Sequence, residues 1–274
     1  MRRLAALLLL LIWAAGLYCG TGSAEGAAVM AEAEDTVMRL PDDVLMTYFD
    51  GAMFVGDSQI AKFRNFVKKK RKDDPDYFKN IDFRAENAYK FRFVAYEKIP
   101  SGEMKYAHLK DDGKKVTLYY LAGKLRPDRI FILAGINDML TTDYKNESGV
   151  ERAMRYVRGA AELIGKASPG TKVYFITQMP VTRDYVQGTN HAKAVTERWN
   201  AINEAIAAES DELGITLVDL ASGLKDENGL LPLKYCADGL CHLNDAGYEI
   251  FAAELLDFAQ SEYEAGNWIP AQEQ

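Results

Sequence analysis

The chain has no surplus of basic charge: 33 Lys and Arg stand against 40 Asp and Glu, a formal net charge of −7 over 274 residues. That argues against a nucleic-acid partner, because phosphate contacts need clustered Lys and Arg. One dense basic run, Lys68-Lys69-Lys70-Arg71-Lys72, is followed at once by Asp73 and Asp74 and reads as the solvated end of a helix. No Gly-rich phosphate loop of the usual patterns occurs, which weakens a nucleotide-binding reading. Internal repeats and long low-complexity tracts are also missing. Histidine is scarce, with only His108, His191 and His242 able to serve as an imidazole base. What is present is ordinary: 48% hydrophobic and 27% charged residues, in a length that suits one α/β domain with a substantial core.

The N-terminus has a different character. Arg2 and Arg3 precede an apolar stretch over residues 4–18, followed by Gly20, Thr21, Gly22, Ser23 and Ala24. The stretch is shorter than the roughly 20 residues a spanning helix needs and fits a secretory h-region. Gly22 and Ala24 supply the small residues for cleavage after Ala24. An uncleaved signal anchor is the alternative, and it would be the chain's membrane contact. The expectation is a secreted or cell-surface protein. Its parts are a leader over 1–24, a spacer over 25–48, a folded domain over 49–265 and a tail over 266–274. Beyond the leader, Cys236 and Cys241 remain. In an exported chain the pair permits a disulfide, and two free thiols are the equal alternative.

Apolar runs rich in β-branched or aromatic residues fall at 52–55, 129–134, 172–177 and 215–220, with a weaker one at 81–83. Runs apolar on both faces suit parallel strands covered by helices. Helical patterns alternate with them: from Ser58 to the basic run, over 117–125, 150–164 and about 191–213, and from near Asn244 to about 263. This alternation predicts a doubly wound parallel sheet whose ligand site lies at the carboxyl ends of the strands. Residues 87–116 read as a long loop or an inserted substructure.

Chemistry-bearing residues fall at that edge. The first strand leads into Gly56-Asp57-Ser58, and a helix follows. Ser58 there is either a helix N-cap or a group placed in the crevice with its N–H at a helix N-terminus. Ile60 occupies the second glycine position of a Gly-x-Ser-x-Gly elbow, so that motif is absent. The third strand ends in Gly135-Ile136-Asn137-Asp138, where the Asn137 amide is a neutral donor suited to an oxyanion. His242 follows Asp238 just before the last helix, a base with a carboxylate close by. His108 lies in a polar segment, and His191 sits just before the fourth helix.

Taken together and in this order, the Gly-Asp-Ser, Gly-x-Asn-Asp and Asp/His blocks resemble the SGNH (GDSL-type) hydrolase family over about residues 50–263. The match includes Val218-Asp219-Leu220 and the helix start at Leu243-Asn244-Asp245-Ala246-Gly247-Tyr248. The resemblance implies a flavodoxin-like three-layer α/β/α sandwich with a five-stranded parallel sheet. It also implies hydrolysis of acyl esters with no metal or organic cofactor. The expected substrate is a small-molecule or carbohydrate ester; an acyltransferase on the same site, or a non-catalytic binding module retaining the fold, is the alternative. It assigns Ser58 as nucleophile and oxyanion donor, Asn137 as second donor, His242 as base and Asp238 as its partner. The family's glycine block after the second strand has Ala88 at its nearest position, where a backbone N–H is still available. The family spaces its Asp and His by two residues; here Gly239, Leu240 and Cys241 intervene.

Overall fold

The computed structural model describes residues 38–139, 148–185 and 189–271. The leader and most of the expected spacer lie outside these residues. In chain order the elements are α1 (Asp42–Met46), β1 (Met53–Gly56), α2 (Ser58–Lys70), β2 (Asp82–Ala85) and a small hairpin of β3 (Lys110–Asp111) and β4 (Lys114–Lys115). Then come α3 (Leu118–Leu125), β5 (Arg129–Leu133), α4 (Ile136–Met139), α5 (Ser148–Ala167), β6 (Lys172–Ile176), α6 (Thr189–Leu213), β7 (Ile215–Val218) and α7 (Asp245–Glu264).

The main sheet runs β2-β1-β5-β6-β7 and every pairing in it is parallel. Apart from the hairpin this is the flavodoxin-like order, with its switch point where β1 meets β5. Alternate strand residues feed two separate cores, as the period of two requires. Val55, Ile130, Ile132, Val173 and Phe175 face the side covered by α3, α5 and α6. Phe54, Phe131, Leu133, Tyr174 and Ile176 face the side covered by α1, α2 and α7. On that second side Phe131 stacks between Phe54 at 4.7 Å and Tyr174 at 4.6 Å. The result is the expected three-layer sandwich.

Helix starts follow from local side-chain chemistry. Asp57 caps α2 by accepting from Gln59 N, Thr117 caps α3 through Tyr120 N, and Asn244 caps α7 through Gly247 N. Each cap satisfies an N–H that the first helical turn leaves without a partner.

Two segments differ from expectation, and a third takes the second of its two expected forms, an inserted substructure. Residues 38–48 belong to the folded unit and not to a spacer. Leu45, Tyr48 and Phe49 are fully buried, and the Tyr48 hydroxyl lies 2.9 Å from that of Tyr174. A helix of five residues is too short to show periodicity in the sequence. In the tail, Trp268 packs edge-on against Tyr48 at 5.3 Å. Residues 87–116 form a built substructure: a short 3-10 turn buries Phe91, Phe93 and Val94 over the first core, and the hairpin follows.

Candidate active site

Neighbouring strands β2, β1 and β5 bring the ends of three segments together. Gly56 closes β1 where a side chain would overlap the Leu133 carbonyl oxygen and the side chain of Ile60. With only hydrogen there, Asp57 N donates to Leu133 O at 3.3 Å and Glu86 N donates to Gly56 O at 3.2 Å. The chain then turns directly into α2. Asp57, not Ser58, is the helix cap, so the Ser58 hydroxyl is left to act elsewhere.

It meets the base. Ser58 Oγ lies 2.8 Å from His242 Nε2, and His242 Nδ1 lies 2.5 Å from Asp238 Oδ2. These three residues, 184 positions apart at their extremes, form one hydrogen-bonded chain. The three residues between Asp238 and His242 do not disrupt it. Gly239 takes a positive φ of 74°, and the loop folds around the carboxylate. Asp238 Oδ1 accepts from the N–H groups of Leu240 at 2.9 Å, Cys241 at 3.0 Å and His242 at 3.2 Å. Burial works against the charged form of Asp238. The His242 bond and the three backbone donors outweigh it and hold the carboxyl well below its ordinary range.

The expected oxyanion donors lie at the same edge. Asn137 follows β5, and its side-chain Nδ2 donates to Tyr89 O at 3.1 Å. Tyr89 directly follows Ala88, so this bond ties the segment after β2 to that after β5. Ala88 adopts φ 62°, the left-handed conformation a glycine would take there, although it carries a side chain. Among the described residues no hydrogen bond engages the Ser58 N–H, one of the donors a first helical turn leaves open.

The other histidines stand apart from Ser58. His108 is buried against Phe93, with ring centroids 4.2 Å apart, and bonds Glu103 O; burial lowers its pKa. His191 stacks on Tyr185 at 6.4 Å. Asp219 caps the turn after β7, taking Thr177 Oγ1 and Ala221 N, both at 3.0 Å.

Cys236 and Cys241 are free thiols. Cys236 Sγ donates to Asp238 Oδ1 at 3.3 Å, and burial pushes the Cys241 thiol up to about 12. Asp238, Cys241 and His242 hold potential metal donors within 4.8 Å of one another. Asp238 already bonds the His242 ring and the Cys241 N–H, so the cluster is tied to itself.

Two glutamines were not legible in the sequence. Gln59 Nε2 donates to Cys241 O at 2.7 Å, and Gln178 Nε2 donates to Ala134 O at 3.0 Å. The first fixes the loop that bears the base; the second fixes the turn that bears Asn137.

A flavodoxin-like sheet with a linked serine, histidine and aspartate at its carboxyl edge is the architecture of an SGNH-type hydrolase. The chain belongs to the GDSL-like lipase/acylhydrolase family, whose model matches residues 107–250, more than half its length. That match spans Asn137, Asp238 and His242, while Ser58 and Ala88 precede it. No curated protein matches the chain. Among solved structures it is similar to a GDSL-like lipase from Bacteroides thetaiotaomicron, with 18% identity and a TM-score of 0.52, over 77% of this chain and 88% of that one. It is also similar to the periplasmic domain of a lipopolysaccharide acetyltransferase from Salmonella ser. Paratyphi A. There the identity is 14% and the TM-score 0.50, over 76% of this chain and 83% of that one. At these identities the likeness is one of fold. Among the described residues no helix is long and apolar enough to cross a membrane.

Proposed function

We propose that the protein is an exported serine esterase that cleaves acyl esters, acetyl esters among them, on a small molecule or carbohydrate through an acyl-enzyme. The observation that carries this reading is the 2.8 Å contact between Ser58 Oγ and His242 Nε2, with Asp238 on the far ring nitrogen.

In the first step His242 Nε2 takes the Ser58 proton as Oγ attacks the ester carbonyl carbon. The carbonyl π pair moves to oxygen, and the N–H of Ser58 and the Asn137 amide stabilise that charge, with Ala88 N–H as the third donor. Collapse breaks the bond to the alcohol oxygen, which receives the proton from His242. Water repeats the sequence and releases the acid. Asp238, kept ionised by the His242 ring and three backbone donors, holds Nδ1–H and so presents Nε2 as acceptor to Ser58. The arginine-led apolar leader in the sequence supports export.

The test is hydrolysis of short p-nitrophenyl esters and acetylated oligosaccharides by wild type and Ser58→Ala. The variant should keep its fold and lose roughly four to six orders of magnitude in kcat. Retention of a tenth of the rate would remove Ser58 from the chemistry. Because the fold is shared with an acetyltransferase domain, acetate release is measured with and without an acceptor sugar. Acetylated acceptor appearing faster than free acetate would make the protein a transferase.

A further inference from the structure

A cavity of about 650 Å³ lies between α2 and the residues that flank Asp238 and His242 in sequence, Ala237 and Leu243 among its lining. Lys62, Asn65 and Lys69 of α2 line one side, and Asn244 and Asp245 line the other. Lys62 stands one helical turn from Ser58, on the same face and about 6 Å along the axis. Asn244 is two residues from His242. The cavity therefore borders both the nucleophile's helix and the base's loop.

Its charge is uneven. Lys69 forms an ion pair with Asp245. Lys62 is half-buried, and among the described residues no ion pair or hydrogen bond holds its ammonium. A half-buried ammonium that no carboxylate of the protein pairs is open to an anionic ligand. In a chain of net charge −7 it is also an unusual lining for a cavity of ligand size.

We propose that this cavity is a substrate subsite for an anionic oxygen group, a carboxylate or a phosphate, carried by the ester near its scissile bond, with Lys62 as its counter-ion. The proposal rests on the reading of Ser58 as nucleophile and narrows the substrate to anionic esters, such as acylated uronic acids or sugar phosphates.

Three acetate esters test it: acetylated glucose, acetylated glucuronate and acetylated glucose phosphate. Wild type should favour at least one anionic ester over the neutral one by about five- to ten-fold in kcat/KM, the range a partly screened ion pair supplies. The difference should lie in KM, and high salt should compress it. Lys62→Met should abolish the preference and Lys62→Arg keep it. Which anion is preferred separates carboxylate from phosphate. Absence of any preference in wild type, or its survival in Lys62→Met, overturns the subsite. Calorimetric binding of glucuronate and glucose phosphate to Ser58→Ala, with and without Lys62→Met, decides the point without turnover. A failure of Ser58 as nucleophile therefore cannot be mistaken for a failure of the subsite.

Discussion

The side-chain amide of Gln59 donates to the Cys241 carbonyl oxygen at 2.7 Å, tying the residue after the nucleophile to the residue before the base. Gln59 is buried, and the Tyr248 hydroxyl donates to its backbone carbonyl at 2.8 Å. One residue thus joins α2, the Asp238–His242 loop and α7. Gln59→Leu keeps similar volume and removes the tie. A displacement of about 1 Å at a reacting pair costs on the order of 10²-fold. The expected result is a 10- to 100-fold lower kcat per folded protein with KM little changed. Steady-state kinetics beside a thermal melt check it. A lower Tm with undiminished kcat would make the tie purely structural.

Legibility of the sequence followed physical cause. Strands β1, β5 and β6 are buried on both faces over most of their length and stood out as apolar runs. The edge strand β2 is half-exposed along Asp82, Phe83 and Arg84 and showed only weakly. Phe91 and Phe93 reach the core from a 3-10 turn, which has no helical or strand period to detect. Within the site, position placed Ser58, Asn137 and His242 at the carboxyl edge, and only the ordered resemblance of their blocks to the SGNH family singled them out. Gln59 was not legible, since its partner lies 182 residues away and nothing local marks the bond. The extra residue between Asp238 and His242 departs from the family's spacing. It is absorbed because Gly239 supplies the positive φ and three N–H groups close on Oδ1.

Asp238 should leave a signature in the pH dependence of stability. Its folded-state pKa is depressed below the ordinary 3.8 by the His242 bond and backbone donors, against the opposing effect of burial. The stabilisation is therefore present above about pH 4 and is lost as pH falls through the lower, folded-state value. Asp238→Asn should melt below wild type at pH 7, and the gap should close as the pH is taken below 4. Its kcat should also fall, by up to about 10⁴-fold, because a neutral amide no longer enforces the productive tautomer. Melting curves across this range decide it. A gap independent of pH would mean that the charge on Asp238 does not contribute to stability.

Ala88 sits at φ 62°, exposed, one residue before the carbonyl that receives the Asn137 amide. For a residue with a Cβ the left-handed region costs roughly 1–2 kcal/mol. Ala88→Gly relieves that strain but adds freedom to the unfolded chain, worth about 0.4–1 kcal/mol in the opposite direction. The net change should run from neutral to about 1.5 kcal/mol stabilising, with kcat preserved, because the backbone N–H stays where it was. Ala88→Val places a β-branched side chain in the same conformation. It should destabilise by about 1–3 kcal/mol, or the backbone should flip out of the left-handed region. If the Ala88 N–H is an oxyanion donor, that flip removes it, and kcat should fall by about 10²-fold or more while KM stays near wild type. Denaturant titrations and kinetics on both variants separate the two effects. A Val variant that loses stability but keeps full kcat would take Ala88 out of the oxyanion hole and leave Ser58 N–H and Asn137 as its donors.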